Sequence, residues 1–180
     1  MRVLVFLNGL GQGGTEKAAC RWAIGLKVRG YHVSVLTLKD GIRRAQLEQI
    51  GIETQVAVSA YTSIVDIVRD WSPDVIHAHV PGYSHPGDVL GRALARLPKI
   101  PVVQTNVFGR LDNPAEEAWT DFRLFISWTS CVQALRRASL KLDRNFFRRA
   151  SVAAYPLDRH DGPSADQIEV FRRSISVNAD

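Results

Sequence analysis

The sequence predicts an α/β domain of the Rossmann-like type, with a doubly wound, mostly parallel sheet that helices cover on both faces. Short apolar runs rich in β-branched residues alternate with longer amphipathic segments along almost the whole chain. Because each run is followed by an amphipathic segment, successive strands are joined by crossover helices and are therefore parallel. With 180 residues, 46% of them apolar and 23% charged, the chain is a globular domain and not a disordered, collagenous or low-complexity protein.

Seven strands and six helices account for most of this pattern. The strands are predicted at Arg2–Leu7, His32–Leu38, Glu53–Val58, Asp74–His79, Pro101–Thr105, Arg123–Ser127 and Ser151–Tyr155. The helices are predicted at Thr15–Arg29, Ile42–Ile50, Ser63–Trp71, Gly87–Leu97, Pro114–Asp121 and Thr129–Leu140. The first helix has the clearest pattern, because apolar and small side chains recur at helical spacing from Ala19 to Leu26 and Gly30 then ends it.

The chain is predicted to hold one domain, residues 1–156, followed by a linker and a further helical segment in residues 157–180. Prolines, a glycine and aspartates mark the linker. The opening apolar run is too short for a signal peptide or a membrane span, so we expect a cytoplasmic protein. Cys20 and Cys131 lie far apart and form no CxxC pair, which predicts buried free thiols.

The loop after the first strand carries the strongest functional signal, with glycines at Gly9, Gly11, Gly13 and Gly14 directly before a helix. Glycine lets the backbone approach a ligand closely, and the free N–H groups and dipole of a helix start favour a phosphate. Three of these glycines also satisfy the GxGxxG dinucleotide pattern, but the second strand ends without the acid that this pattern requires. A tight glycine turn without a ligand is the other alternative.

Two histidines, His77 and His79, face the same way on the fourth strand because strand side chains alternate. His79 lies at the carboxyl end, where parallel sheets bind ligands, and is the better candidate for a substrate contact. His77 is expected to be a buried, hydrogen-bonded histidine. A metal would need a third ligand such as His85, and because no cysteine or carboxylate clusters with these residues, no metal site is predicted.

Four segments together carry a family resemblance. Gly13–Glu16 has the form Gly-Gly-x-Glu, and Ser72–His79 contains PDVIHAH. Ile100–Thr105 covers the fifth predicted strand, and Tyr155–Asp158 begins at the last residue of the seventh. In this order and spacing the segments resemble the amino-terminal half of the GT-B fold glycosyltransferases of family 4, and the resemblance covers the whole chain.

The resemblance implies an enzyme that moves a sugar from a nucleotide-sugar donor, UDP- or GDP-linked, to an acceptor such as a polysaccharide or a lipid-linked glycan. It implies a retaining transfer without a metal or other cofactor. In this family a carboxy-terminal domain holds most of the donor and carries two glutamates spaced as Glu-x7-Glu, a pattern that is absent after the linker here. We therefore expect this chain to be an acceptor-side half that is inactive by itself.

By the same resemblance, Gly11, Gly13 and Gly14 meet the phosphates and sugar of the donor. Their N–H groups would stabilise the negative charge that develops on the departing diphosphate. The family commonly has a histidine shortly after the fifth strand, and this sequence has none there. Asn106, as a hydrogen-bond donor, and Arg110, as a cation for phosphate or substrate, are the candidates in its place. A purely loop-shaping role is the alternative for both.

A strongly basic segment lies near the end of the domain, where seven basic residues and a single acid, Asp143, occur between Arg123 and Arg149. Two adjacent phenylalanines in residues 136–149 favour peripheral contact with an anionic membrane at the inner face of the cell. A solvated helix face is the simplest alternative. We expect no nucleic-acid partner, because no nucleic-acid-binding module is recognisable.

Two other functions remain open from the residues alone. An NAD(P)-binding Rossmann domain of an oxidoreductase would bind a dinucleotide tightly by itself. A non-catalytic binding domain would have no catalytic second half.

Overall fold

The computed structural model describes residues 1–57, 61–80, 86–111, 114–138 and 144–154, and over these ranges the chain forms a three-layer α/β fold. The strands are β1 (Arg2–Leu7), β2 (His32–Thr37), β3 (Glu53–Val56), β4 (Val75–Val80), β5 (Val102–Asn106), β6 (Phe122–Phe125) and β7 (Ala150–Val152). The helices are α1 (Gly14–Val28), α2 (Arg43–Gln49), α3 (Tyr61–Trp71), α4 (Pro86–Leu94), α5 (Pro114–Trp119), α6 (Trp128–Arg137) and α7 (Arg144–Phe147).

All seven strands belong to one sheet in the order β3-β2-β1-β4-β5-β6-β7, and every neighbouring pair is parallel. The chain builds outward from β1 to β3 and then returns to place β4 on the other side of β1. This reversal is the topological switch point of the sheet, and ligands of such folds bind outside the carboxyl ends of the strands there. The predicted Rossmann-like fold class is confirmed.

The central strands are apolar on both faces, because helices cover both. Leu4 and Phe6 of β1 belong to a core that includes Ile64 of α3 and Leu90 of α4. The alternate side chains of β1 point to the opposite face and pack with α1 and α2. Each fully buried large apolar side chain contributes roughly 1.5–3 kcal/mol by its removal from water. The strand that leads into the candidate site is therefore fixed from both sides.

Small residues bring α1 close to the sheet. Ala19 and Ala23 are fully buried one turn apart, and Cys20 beside them is also buried. Burial raises the pKa of the Cys20 thiol to about 11, because the charged thiolate would lose its solvation. Cys20 and Cys131 are both free and buried, as predicted.

Most differences between predicted and observed elements lie at their ends. The fourth helix stops at Leu94 and not at Leu97. The N–H groups of Arg96 and Leu97 donate three residues back, to Ala93 and Leu94, so the chain ends in a tighter turn, and Pro98 disfavours helical geometry at Leu97. The short helix α7 was not predicted, since four residues are too few to show a periodic pattern. The predicted linker and helix in residues 157–180 lie outside the described residues. No helix in the described part of the chain is long and apolar enough to cross a bilayer.

The loop after β5 packs tightly against the start of α6. Gly109 has a φ of +60°, and a Cβ added there would lie 2.4 Å from the carbonyl oxygen of Ser130. Ser127 caps α6 by accepting a hydrogen bond from the Ser130 N–H at 3.1 Å, and the Ser130 hydroxyl contacts Ser127 in return. The loop therefore requires glycine for both its backbone conformation and its close approach.

We predict that Gly109→Ala lowers the free energy of unfolding by about 3 kcal/mol, because strain and a backbone clash add together. Gly30→Ala is the matched control, since Gly30 has a φ of +84° but no atom within 4 Å of an added Cβ. It should cost only about 1 kcal/mol. Urea unfolding of both variants measures the difference, and equal losses would show that the contact with Ser130 does not constrain the loop.

Candidate functional site

The predicted site residues share one edge of the sheet. Leu7, the last residue of β1, pairs with His79 of β4, and His79 pairs with Thr105 of β5. The glycine loop follows Leu7, and Asn106 follows Thr105. The structure thus brings the glycine loop, His79 and Asn106 to the carboxyl ends of three adjacent strands.

The glycine loop is exposed where it meets α1, over residues 11–14. None of its glycines has a positive φ; among the described glycines only Gly30, Gly51 and Gly109 do. A Cβ added at Gly11 or Gly14 would have no atom within 4 Å. Neither the backbone conformation nor the packing of this chain therefore requires glycine at Gly11 and Gly14, and the space beside them is open.

The start of α1 has no side-chain cap. Gly13 is the N-cap residue and has no side chain that could accept a hydrogen bond from the first turn. The Glu16 carboxylate lies against it, since a Cβ added at Gly13 would be 2.1 Å from Oε2 of Glu16. A negative charge is favourable at the N-terminus of a helix of 15 residues. An incoming anion would have to displace this flexible carboxylate.

Residues 39–43, which form the end of the β2–α2 loop and the first residue of α2, hold the glycine loop in place. The Leu10 N–H donates to the carbonyl of Lys39 at 3.1 Å, and the Arg43 N–H donates to the carbonyl of Leu10 at 3.2 Å. The Arg43 guanidinium donates to the carbonyls of Gly11 at 2.9 Å and Gln12 at 3.5 Å. The sequence analysis missed Arg43, because a contact between residues 32 positions apart leaves no local pattern.

Gly41 makes this contact between the two loops possible. A Cβ added at Gly41 would lie 2.4 Å from the carbonyl oxygen of Leu10. Since Leu10 is itself fully buried, the oxygen has no room to move away. Gly41 is therefore part of the support of the glycine loop, although its φ is not in the left-handed region.

His77 is the buried, hydrogen-bonded histidine that the sequence predicts. Its Nε2 lies 2.7 Å from the Thr105 hydroxyl, and its ring meets the edge of Trp22 of α1 at 5.3 Å between centroids. Burial lowers the pKa of His77 to about 4. His77 is therefore neutral near pH 7.

His79 lies at the predicted edge but is 0% exposed. Its ring is tilted against that of His77, with 4.3 Å between the ring centroids. Neither of its ring nitrogens has a hydrogen-bond partner in the part of the chain that the structure describes. Burial lowers its pKa well below the ordinary value, and the neighbouring His77 lowers it further. In this conformation a substrate would reach His79 only after local opening.

Asn106 shapes the loop that follows β5. Its side-chain amide donates to the carbonyl of Arg110 at 2.6 Å, and its Oδ1 accepts from the Arg110 N–H at 3.2 Å. Asn106 is buried and Arg110 is half-buried. The observed contacts match the loop-shaping alternative for Asn106 and place Arg110 at the carboxyl edge of the sheet.

The residues that a dinucleotide or a metal would need lie in other arrangements in the part of the chain that the structure describes. The second strand ends at Thr37, and Asp40 beyond it accepts hydrogen bonds from the Gly41 N–H at 2.8 Å and the Arg44 guanidinium at 3.0 Å. Asp40 is thus engaged in its own loop. Within the described ranges, no three His, Cys, Asp or Glu side chains cluster closely enough to hold a metal ion, and His85 lies outside those ranges.

An apolar cavity of about 540 Å³ lies at the opposite edge of the sheet, at the amino end of β5. Gly91, Ile100 and Trp119 are among the residues that line it. Because ligands of parallel α/β sheets bind at the carboxyl ends of the strands, the glycine-loop edge is the stronger candidate site.

Known proteins resemble this chain in sequence pattern and in fold. Residues 13–160 match the family described as a glycosyl transferase 4-like domain. HepE of Anabaena in complex with UDP superposes with a TM-score of 0.68 at 16% identity, covering 98% of this chain and 50% of that chain. A glycosyltransferase from Rickettsia africae has a TM-score of 0.67 at 12% identity, covering 99% of this chain and 50% of that chain.

A lipopolysaccharide outer core galactosyltransferase, WaaB, superposes with a TM-score of 0.66 at 15% identity. The match covers 92% of this chain and 50% of the WaaB chain. The present chain thus spans about half the length of these structures. No curated protein sequence matches it. The structural likeness shows that the chain has the fold of one half of a GT-B glycosyltransferase.

The two buried histidines predict acid sensitivity. Their pKa values are lowered in the folded state, so between about pH 6.5 and pH 4 the unfolded chain binds more protons and stability falls as the pH decreases. We expect His77 to contribute a loss of about 2 kcal/mol between pH 7 and pH 5, and His79 to add a further loss in the same direction. His79→Gln should remove the part of the combined loss that comes from His79, because one titrating group is gone.

His32→Gln is the matched control, since His32 is exposed on β2. Urea unfolding at pH 7 and pH 5 measures the difference for each variant. If His79→Gln keeps the full loss of the wild-type chain, His79 is not held neutral by burial.

Proposed function

The chain belongs to the glycosyl transferase 4-like domain family, and from this membership we propose that it forms the acceptor-side half of an enzyme that transfers a sugar from a nucleotide-sugar donor. HepE is described in complex with UDP and with UDP-glucose, and an α-glucosyltransferase of the same fold is described with UDP. These neighbours support a nucleotide-sugar donor for this chain, and the proposal that it is UDP- or GDP-linked follows the family resemblance. They do not favour an NAD(P)-binding oxidoreductase domain.

The observation that carries this proposal is the open glycine loop at the start of α1. Gly11 and Gly14 are exposed and have free space where a side chain would be, although neither needs to be glycine for its conformation. A polyanion can therefore come within hydrogen-bonding distance of the backbone N–H groups and of the positive end of the helix dipole. We propose that Gly11, Gly13 and Gly14 bind the diphosphate of the donor.

The proposed chemistry follows from where charge develops. Departure of the nucleoside diphosphate leaves negative charge on the phosphate oxygens, and oriented N–H groups lower the energy of that charge. Consistent with the family resemblance, we propose a retaining transfer that uses these amides in place of a metal. Because the chain spans half the length of its structural neighbours, we propose that transfer needs a second half and that this half alone is inactive.

The acceptor is proposed to lie at the same edge, near His79, Asn106 and Arg110. Arg110 offers a cation beside the end of β5. His79 has buried ring nitrogens without a partner in the described residues, and a substrate hydroxyl that reached them would satisfy them. The acceptor class that the family resemblance favours is a polysaccharide or a lipid-linked glycan.

A lipid-linked acceptor is consistent with one surface of the domain, made by α6 and α7. Trp128 is 59% exposed, Val132 one turn later is 42% exposed, and Phe147 of α7 is 38% exposed. Trp128 and Phe147 meet edge to face at 6.1 Å between ring centroids. These three residues form an exposed apolar patch, which we call the α6–α7 surface.

Arginines surround the α6–α7 surface. Arg136 continues the helical row of Trp128 and Val132, and Arg144 and Arg148 flank Phe147; all three arginines are exposed. Among the described residues 122–138 and 144–154 there is no Asp or Glu. Aromatic side chains at the headgroup level and cations against anionic lipid favour membrane contact. We propose peripheral contact of residues 136–149, extended by Trp128 and Val132, with an anionic membrane.

We predict that Gly11→Val weakens UDP binding at least tenfold without destabilising the fold, because the side chain enters space that the protein leaves empty. For the chain itself we expect a dissociation constant on the order of 1 mM, as befits a few hydrogen bonds to charged phosphate. Titration of backbone amide NMR signals with UDP measures this affinity.

Gly25→Ala, inside α1 and away from the loop, is the matched control. It should stabilise the helix by roughly 0.5–1 kcal/mol and leave UDP affinity unchanged. Wild-type affinity in Gly11→Val would remove the loop from the donor site.

We predict that the chain co-sediments with vesicles that contain anionic lipid and not with neutral vesicles. Trp128→Ala combined with Phe147→Ala should reduce binding at least fivefold, and Arg136→Ala combined with Arg148→Ala should weaken its dependence on salt. Arg69→Ala, an exposed arginine on α3, is the control and should bind as the wild-type chain does. Absence of binding to anionic vesicles at low salt would reject the membrane contact.

A further inference from the structure

Three consecutive carbonyl groups of the glycine loop point toward one residue. The carbonyl of Leu10 accepts from the backbone N–H of Arg43, and the carbonyls of Gly11 and Gln12 accept from the Arg43 side chain. The three distances are 3.2, 2.9 and 3.5 Å. Arg43 therefore binds three successive peptide groups through their carbonyl oxygens.

The N–H bonds of these three peptide groups must point to the side opposite Arg43. All described peptide bonds are trans, and in a trans peptide the C=O and N–H bonds point in opposite directions. The N–H groups of Gly11, Gln12 and Gly13 consequently point away from Arg43. None of the three finds an acceptor within the described chain, and all three residues are exposed.

We infer that Arg43 is a positioning residue for the nucleotide diphosphate: by binding the carbonyls of Gly11 and Gln12 it aims the Gln12 and Gly13 N–H groups at the phosphates. This inference rests on the proposed function and adds to it a residue outside the glycine loop. Glycine-rich backbone is costly to order, so a loop held in place before binding loses less entropy when the anion arrives.

A guanidinium is suited to this role for geometric reasons. Its planar set of donors reaches two carbonyls at once, through Nε and through one Nη, while lysine offers a single mobile ammonium. Arg43 is half-buried, and Gly41 allows its loop to approach Leu10. Its neighbour Arg44 instead pairs with Asp40 at 3.0 Å and Glu48 at 2.7 Å on the surface.

The Leu10–Gly11 peptide group provides an internal control for variants of the Arg43 side chain. The Leu10 carbonyl is held by the backbone N–H of Arg43, which every side-chain variant retains. Replacement of the Arg43 side chain therefore releases the Gly11–Gln12 and Gln12–Gly13 peptide groups but not the Leu10–Gly11 peptide group. The amide signals of Gln12 and Gly13 should change in the free protein, while that of Gly11 should stay close to its wild-type value.

The test compares Arg43→Met, Arg43→Lys and the control Arg44→Met in the complete 180-residue chain. Amide NMR spectra are recorded without ligand and during titration with UDP, and melting temperatures are measured in parallel. We expect Arg43→Met to raise the dissociation constant of UDP at least tenfold. Arg43→Lys should restore less than half of the binding free energy that Arg43→Met loses. The dissociation constant of Arg44→Met for UDP should stay within twofold of the wild-type value.

The outcomes separate this inference from the proposed function. If the wild-type loop does not respond to UDP, the proposed donor site is wrong. If it responds but Arg43→Met binds UDP as wild type does, the Arg43 side chain contributes nothing and the positioning role is overturned. If Arg43→Lys binds UDP as wild type does, a positive charge alone suffices and the role is likewise overturned. Should Arg43→Met fail to fold, the comparison of Arg43→Lys with wild type decides, since wild-type affinity would again contradict the role.

Discussion

Three successive exposed N–H groups at the start of α1 are the feature on which the proposed donor site depends. Their direction follows from the carbonyl groups behind them, which Arg43 holds. The fold supplies the rest: β1 is buried on both faces, and small residues of α1 let the helix lie close to the sheet. A glycine-rich segment is thereby held in place by well-packed elements, and such preorganisation favours the binding of a polyanion.

The polar residues of the edge differ in what they are free to do. His77 is fixed by Thr105 and Trp22, and Asn106 is fixed by the backbone of Arg110. Both side chains are thus already engaged within the fold. Among the residues of this edge that the structure describes, the glycine loop combines exposure with open space, so we propose that the contacts with a nucleotide come mainly from its backbone. Backbone donors suit a diphosphate better than a neutral sugar, because charged acceptors strengthen the hydrogen bond.

The sequence predicted the elements that depend on local pattern. Alternating apolar runs predicted the parallel sheet, and the position of His79 near the end of a strand predicted that it lies at the carboxyl edge. The phosphate-binding role of the glycines before the first helix stays a prediction. The sequence missed what depends on contacts between distant segments. The clamp of Arg43 on Gly11, the enclosure of His79 and the meeting of Trp128 with Phe147 arise only in the folded chain.

The most direct test of the donor site is a crystal structure of the chain soaked with UDP at saturating concentration. A diphosphate at the glycine loop is predicted, with phosphate oxygens within about 3.2 Å of the Gln12 and Gly13 nitrogens, the Glu16 carboxylate moved away, and the Arg43 contacts retained. A diphosphate bound elsewhere, for example in the cavity beside Trp119, with the loop unoccupied, would contradict the assignment.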